Sequence, residues 1–86
     1  MSEDRETRLR RLRLRSWRRG IREMDLILGG FADAELGGLD DAALDAYERL
    51  LELPDWELYA WVTGAEAPPA AHEPLIRRLA SFHNIA

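Results

Sequence analysis

Three observations predict an all-α fold, a compact five-helix bundle. Apolar residues recur at three- and four-residue intervals through most of the chain. No alternating run lasts long enough to form a strand, since the brief alternation over Leu12–Arg15 lies among good helix formers. The connections between periodic segments are short, which sets consecutive helices against one another.

The first helix is expected at about residues 3–17. Ser2 can cap it, and Glu3, Asp4 and Glu6 fall in the turn where negative charge complements the helix dipole. Asp4 with Arg8, and Glu6 with Arg10, have favourable i,i+4 spacing. Further along the spacing is repulsive. Arg11 faces Arg15, and Arg15 faces Arg18 and Arg19, so these cations need acids from elsewhere in this chain or from another. Leu9, Leu12 and Leu14 imply that part of this helix is packed.

Gly20 reads as the N-cap of a second helix at about 21–36, with Glu23 at the third helical position. Ile21, Met24, Ile27, Leu28 and Phe31 form its core stripe, and Arg22, Glu23 and Leu26 project from the opposite side. Gly29-Gly30 is expected to kink or loosen this helix, and Gly37-Gly38 to end it. Asp40 caps a third helix at about 41–53, with Leu39 at staple spacing from Leu44. Its buried side is Leu44, Tyr47 and Leu51. Pro54-Asp55 ends it and caps a fourth helix at about 56–63, with Leu58, Trp61 and Val62 inward and Gly64 closing it. Residues 65–74 form a loop stiffened by prolines. The last helix, at about 73–83, presents Leu75, Ile76, Leu79 and Phe82.

Composition narrows the function. A chain of 86 residues is read as one small domain, 1–86, a basic first helix followed by an acidic helical body over about 21–83. It has no cysteine, so no disulfide framework, thiolate metal site or thiol nucleophile can be built from it. No apolar run approaches the ~18 residues of a membrane span. Glu3, Asp4 and Glu6 oppose an organellar transit peptide, which would be poor in acids, and a cytoplasmic address is the resulting expectation. Residues 1–22 hold nine arginines against three acids, a charge of +6, and residues 23–86 hold three arginines against thirteen acids, a charge of −10. A basic arm on an acidic body suits docking to that body, to an acidic partner or to nucleic acid.

No catalytic constellation can be assembled. His72 and His83 lie eleven residues apart with no acid or thiol at metal-ligand spacing. Ser2, Ser16 and Ser81 have no neighbouring base, and Asp40-Asp41 is explained by capping. Neither glycine pair matches a phosphate-binding loop. The arginine helix could contact phosphates. Against this, the acidic body would repel the same polyanion, and no helix-turn-helix reading element is present.

The segment "RRGIRE" (residues 18–23) can be a helix joint, or a surface read by a partner. A bare backbone at Gly20 flanked by Arg19 and Arg22, beside an exposed Leu26, suits close approach by another protein. "RRGIREMDLIL" resembles the signature of the succinate dehydrogenase assembly factor 2 family, the FAD assembly factors called SdhE in bacteria. The mark is Arg-Gly-x-x-Glu, here Arg19, Gly20 and Glu23, followed by Asp25. "ERLLEL" (48–53), "LYAWV" (58–62) with Gly64, and the arginine-bearing last helix extend the likeness over nearly the whole chain.

That resemblance implies a non-enzymatic assembly chaperone. It would bind the flavoprotein subunit of succinate dehydrogenase, or of the related fumarate reductase, and promote covalent attachment of FAD to a histidine there. The attachment would be autocatalytic in the client. Arg19, Gly20 and Glu23 would form the client-facing surface, with Arg22 and Asp25 beside them. FAD would be the group attached to the client, with no cofactor or metal held stably by this chain. The alternative is a small nucleic-acid-binding or antitoxin-type regulator using the arginine helix.

Overall fold

Side-chain oxygens, glycines and prolines set the helix boundaries. In the structure, a computed structural model describing residues 3–85, α1 spans Arg5–Trp17, α2 Arg22–Glu35, α3 Asp41–Leu51, α4 Asp55–Val62 and α5 Glu73–Phe82. A 3₁₀ turn over Leu36–Gly38 follows α2 directly. The all-α, five-helix expectation is met, and no strand occurs among the described residues.

Asp4 caps α1, its carboxylate accepting from the Thr7 N–H at 2.7 Å, so the helix begins after it. The cap anticipated at Ser2 lies outside the described residues. Asp40 caps α3 through the Ala43 N–H at 2.8 Å, as its spacing predicts. The start of α2 differs from expectation. Ile21 is the N-cap and makes no side-chain capping bond, while Gly20 precedes it in the left-handed region at φ +93°. Gly64 ends α4 in the same region, at φ +84°.

The core is continuous through all five helices. Leu12 of α1, Met24, Leu28 and Phe31 of α2, Leu44, Tyr47 and Leu50 of α3, Leu58 of α4 and Leu79 of α5 are essentially sealed from water. Ile21, expected on the core stripe, is instead exposed, because it stands before the first helical turn and outside its period. Phe82 is likewise part-exposed, though its ring meets Phe31 edge-on at 5.8 Å.

α2 runs unbroken through Gly29-Gly30, which corrects the expected kink. The reason is packing. The Trp17 indole lies flat against Gly29, and a Cβ there would fall inside the van der Waals envelope of its ring carbons. Glycine lets α1 and α2 approach, and the Trp17 Nε1–H reaches Asp33 Oδ2 at 3.1 Å. Beneath this contact Ser16, wholly buried on α1, donates to the Leu12 carbonyl at 2.7 Å. It also shares a 2.7 Å hydrogen bond with the Tyr47 hydroxyl of α3. Burial pushes the Tyr47 phenol up to about 12, the Ser16 hydrogen bond partly opposing it.

Candidate functional site

Five of the nine arginines in residues 1–22, Arg5, Arg8, Arg11, Arg15 and Arg19, find acids within the chain. Arg8 meets Asp45 at 2.6 Å and Glu48 at 3.1 Å, and Arg11 bridges Glu3 and Glu48 at 2.9 Å each. Arg15 meets Glu52 at 3.1 Å, and Arg5 meets Asp41 at 3.3 Å. The anticipated pairs Asp4–Arg8 and Glu6–Arg10 do not form, because Arg8 turns across to α3 and Asp4 is engaged as a cap. Hydrogen bonds from Arg11, then Arg8, hold the Glu48 carboxyl below its ordinary range. The Glu3 and Asp45 carboxylates raise Arg11 and Arg8 correspondingly. Along the α1–α3 seam Arg8, Arg11 and Arg15 are thus paired with carboxylates, which reduces what they can offer to phosphates.

The five residues expected at the client-facing surface, four from the Arg-Gly-x-x-Glu segment and Asp25 just after it, divide into two groups. Arg19 points inward. Its Nε donates to Asp55 Oδ1 at 2.7 Å and its Nη2 to the Leu53 carbonyl at 2.6 Å, while Nη1 reaches the Leu51 carbonyl. Only 12% of the Arg19 side chain and 19% of the Asp55 side chain remain exposed. One guanidinium thus satisfies carbonyls at the end of α3 and joins them to the first residue of α4. Its fork of donors is the geometry lysine could not supply. Asp25 closes the loop from the other side. Its carboxylate accepts from the Arg19 backbone N–H at 2.7 Å, and its own N–H donates to the Ile21 carbonyl at 2.9 Å.

Gly20, Arg22 and Glu23 face outward. A Cβ on Gly20 would meet nothing within 4 Å, so the glycine serves the left-handed backbone here, and the space above it is open. Glu23 forms no ion pair among the described residues. Leu26 projects beside it, 51% exposed.

Two neighbours of this face escape sequence reasoning. Trp56 and Tyr59 of α4 are 69% and 45% exposed. With Ile21, Met24, Glu23 and Asp55 they line a groove of about 370 Å³ between α2 and α4. A signal was present in the sequence. Once Leu58 and Val62 are set inward, Trp56 and Tyr59 fall on the outer side of a short helix, which leaves two large aromatics exposed together.

No group of three or more acidic or histidine side chains able to hold a metal occurs among the described residues. His83 donates its Nε2–H to the Ile27 carbonyl at 2.7 Å, and His72 stacks on Trp61 at 5.8 Å. Both are structural contacts. No described helix is long and apolar enough to cross a membrane.

Residues 10–83 match the family model described as flavinator of succinate dehydrogenase. The chain is also similar to proteins named succinate dehydrogenase assembly factor 2, mitochondrial. It is 46% identical over 69 residues to that of Mycosarcoma maydis, covering 80% of this chain and 29% of the relative. It is 49% identical over 61 residues to that of Meyerozyma guilliermondii, covering 71% and 45%. It is 37% identical over 79 residues to that of Cryptococcus neoformans, covering 90% and 45%. The chain thus spans less than half the length of these curated relatives. Their names, all mitochondrial, overturn the expectation of a cytoplasmic address. Acids at Glu3, Asp4 and Glu6 describe only the stretch that carries them, and compartment cannot be argued from it. With nearly its whole length matched by the family model and this arrangement of Arg19, Gly20 and Glu23 behind the match, the chain belongs to the family of flavinators of succinate dehydrogenase.

Proposed function

We propose that this protein is an assembly factor that binds the flavoprotein subunit of succinate dehydrogenase, or of fumarate reductase, and promotes covalent attachment of FAD to it. The bond-making chemistry belongs to the client. This chain contributes a rigid surface that holds the client where its histidine and the isoalloxazine meet, and positioning of that kind can supply much of a rate enhancement. FAD is the group attached to the client and not a resident cofactor here.

The observation that carries the reading is the outward face built on the family segment. Ile21 and Glu23 line an apolar groove from the α2 side and Trp56 and Tyr59 from the α4 side, with the exposed Gly20 and Arg22 adjacent in the chain. A protein interface has this composition, an apolar and aromatic centre within a polar rim. Arg19 and Asp25 support the face from behind, so they act on the client through the surface they shape. The nucleic-acid alternative loses support because Arg8, Arg11 and Arg15, on which it relied, are already paired with Asp45, Glu48, Glu3 and Glu52.

The test mixes the purified protein with the matching apo flavoprotein subunit and FAD, then reads covalent flavin fluorescence on a denaturing gel. Wild type should strengthen the client band, and Glu23→Ala should not, while its circular dichroism stays that of the wild type. A client that binds FAD but gains no covalent flavin from the wild-type protein would refute the assignment.

A further inference from the structure

The groove between α2 and α4 has a chemistry more specific than an apolar patch. Its walls are Ile21, Met24, Trp56 and Tyr59, and the two charged residues that line it, Glu23 and Asp55, are both carboxylates. Asp55 is occupied by Arg19, whereas Glu23 has no cationic partner among the described residues. An aliphatic wall, an open indole face and an unpaired carboxylate in one concavity match the three parts of an arginine side chain. The methylene stem would pack on the exposed Ile21, the guanidinium plane would lie over Trp56 or Tyr59, and its N–H fork would reach Glu23. Lysine would satisfy the carboxylate but not the flat stacking contact.

We infer that this groove receives an arginine side chain projecting from the partner protein, with Glu23 as its counter-ion and Trp56 and Tyr59 as its stacking platform. The inference rests on the reading that this face meets a client. It adds what the client must present there, and why Glu23 in the family segment is a carboxylate left unpaired. It also gives α4 a part in recognition, through two side chains that contribute little to the core.

The first test needs no client. The full chain, ¹⁵N-labelled, is titrated with N-acetyl-arginine amide and, separately, with the neutral isostere N-acetyl-citrulline amide, while amide and indole N–H resonances are followed. The arginine probe should shift the Trp56 indole N–H and the amides of Ile21, Glu23 and Tyr59, and the citrulline probe should not. Glu23→Gln should remove the arginine response. Equal shifts from both probes, shifts confined to the acidic outer side of α3, or no shift at all would overturn the inference.

The second test measures binding of the flavoprotein subunit. Trp56→Leu keeps apolar area but removes the aromatic face, and should weaken binding about tenfold. Glu23→Gln should weaken it and flatten its salt dependence. If the subunit binds and neither variant differs from wild type, the arginine groove is wrong while the client assignment stands. If the arginine probe binds and the subunit does not, the client assignment fails and the groove stands.

Discussion

Arg19 is the residue on which the fold and the candidate surface jointly depend, and replacing it by methionine isolates that dependence. Methionine keeps a long apolar stem but removes all the guanidinium donors, leaving Asp55 without its cation and the Leu51 and Leu53 carbonyls without a donor. The Arg19–Asp55 pair is little exposed, so solvent screening is weak, and breaking one side of such a pair costs about 3–5 kcal/mol. A domain of this size shifts its Tm by about 4–8 °C per kcal/mol, so even the lower figure corresponds to roughly 12–24 °C. Thermal unfolding followed by far-UV circular dichroism, with urea unfolding at 25 °C as a check, reads this directly. Glu23→Gln, which removes only an exposed unpaired charge, should change stability by less than about 0.5 kcal/mol. A loss below about 1 kcal/mol for Arg19→Met would refute the argument that this arginine is a structural clamp. It would then return Arg19 to the set of residues proposed to face the partner.

Gly29→Ala should destabilise by about 1–2 kcal/mol in urea unfolding, since expelling the Trp17 indole outweighs the ~1 kcal/mol gain in helix propensity. In a Trp17→Ala background the same change should become stabilising, and the absence of that sign reversal would count against the packing explanation. Alkaline unfolding should report Tyr47. Its folded pKa, about 12, lies above the ordinary value of 10.0, so the folded state holds the phenolic proton more tightly. The associated stability, about 2–3 kcal/mol, is fully present below pH 10, declines as pH rises through 12, and should no longer show that decline in Tyr47→Phe. The acid limb should report Glu48. Its pKa is held below 4.5 by Arg11 and Arg8, so its contribution is present above pH 4.5 and lost as pH falls through the folded value. Glu48→Gln should shallow that limb, and added salt should shallow it further.

The helices themselves follow from local chemistry, and so they were legible in the chain. Apolar periodicity placed Met24, Ile27, Leu28 and Phe31 on one side of α2, and Leu75, Ile76 and Leu79 on one side of α5, and all are buried. Asp40 and Gly64 act where their side-chain oxygen and missing Cβ suit helix ends. The family segment was legible too, because Arg19, Gly20 and Glu23 lie within five residues of one another.

What only the tertiary structure decided concerns partners far apart in sequence. Arg8 and Arg11 find Asp45 and Glu48 some 37 to 40 residues away, in preference to the nearby acids that helical spacing offered. Gly29 is a seat for Trp17, Arg19 is a clamp on the end of α3, and Trp56 and Tyr59 join Glu23 around one groove. Each depends on which faces of two helices meet. Periodicity specifies the buried face of one helix, because burial is a property of that helix and water. It does not specify the neighbour, because many pairings bury similar apolar area. The choice among them is made by close approach at a glycine and by donors that must find acceptors, and those conditions exist only once the bundle has formed.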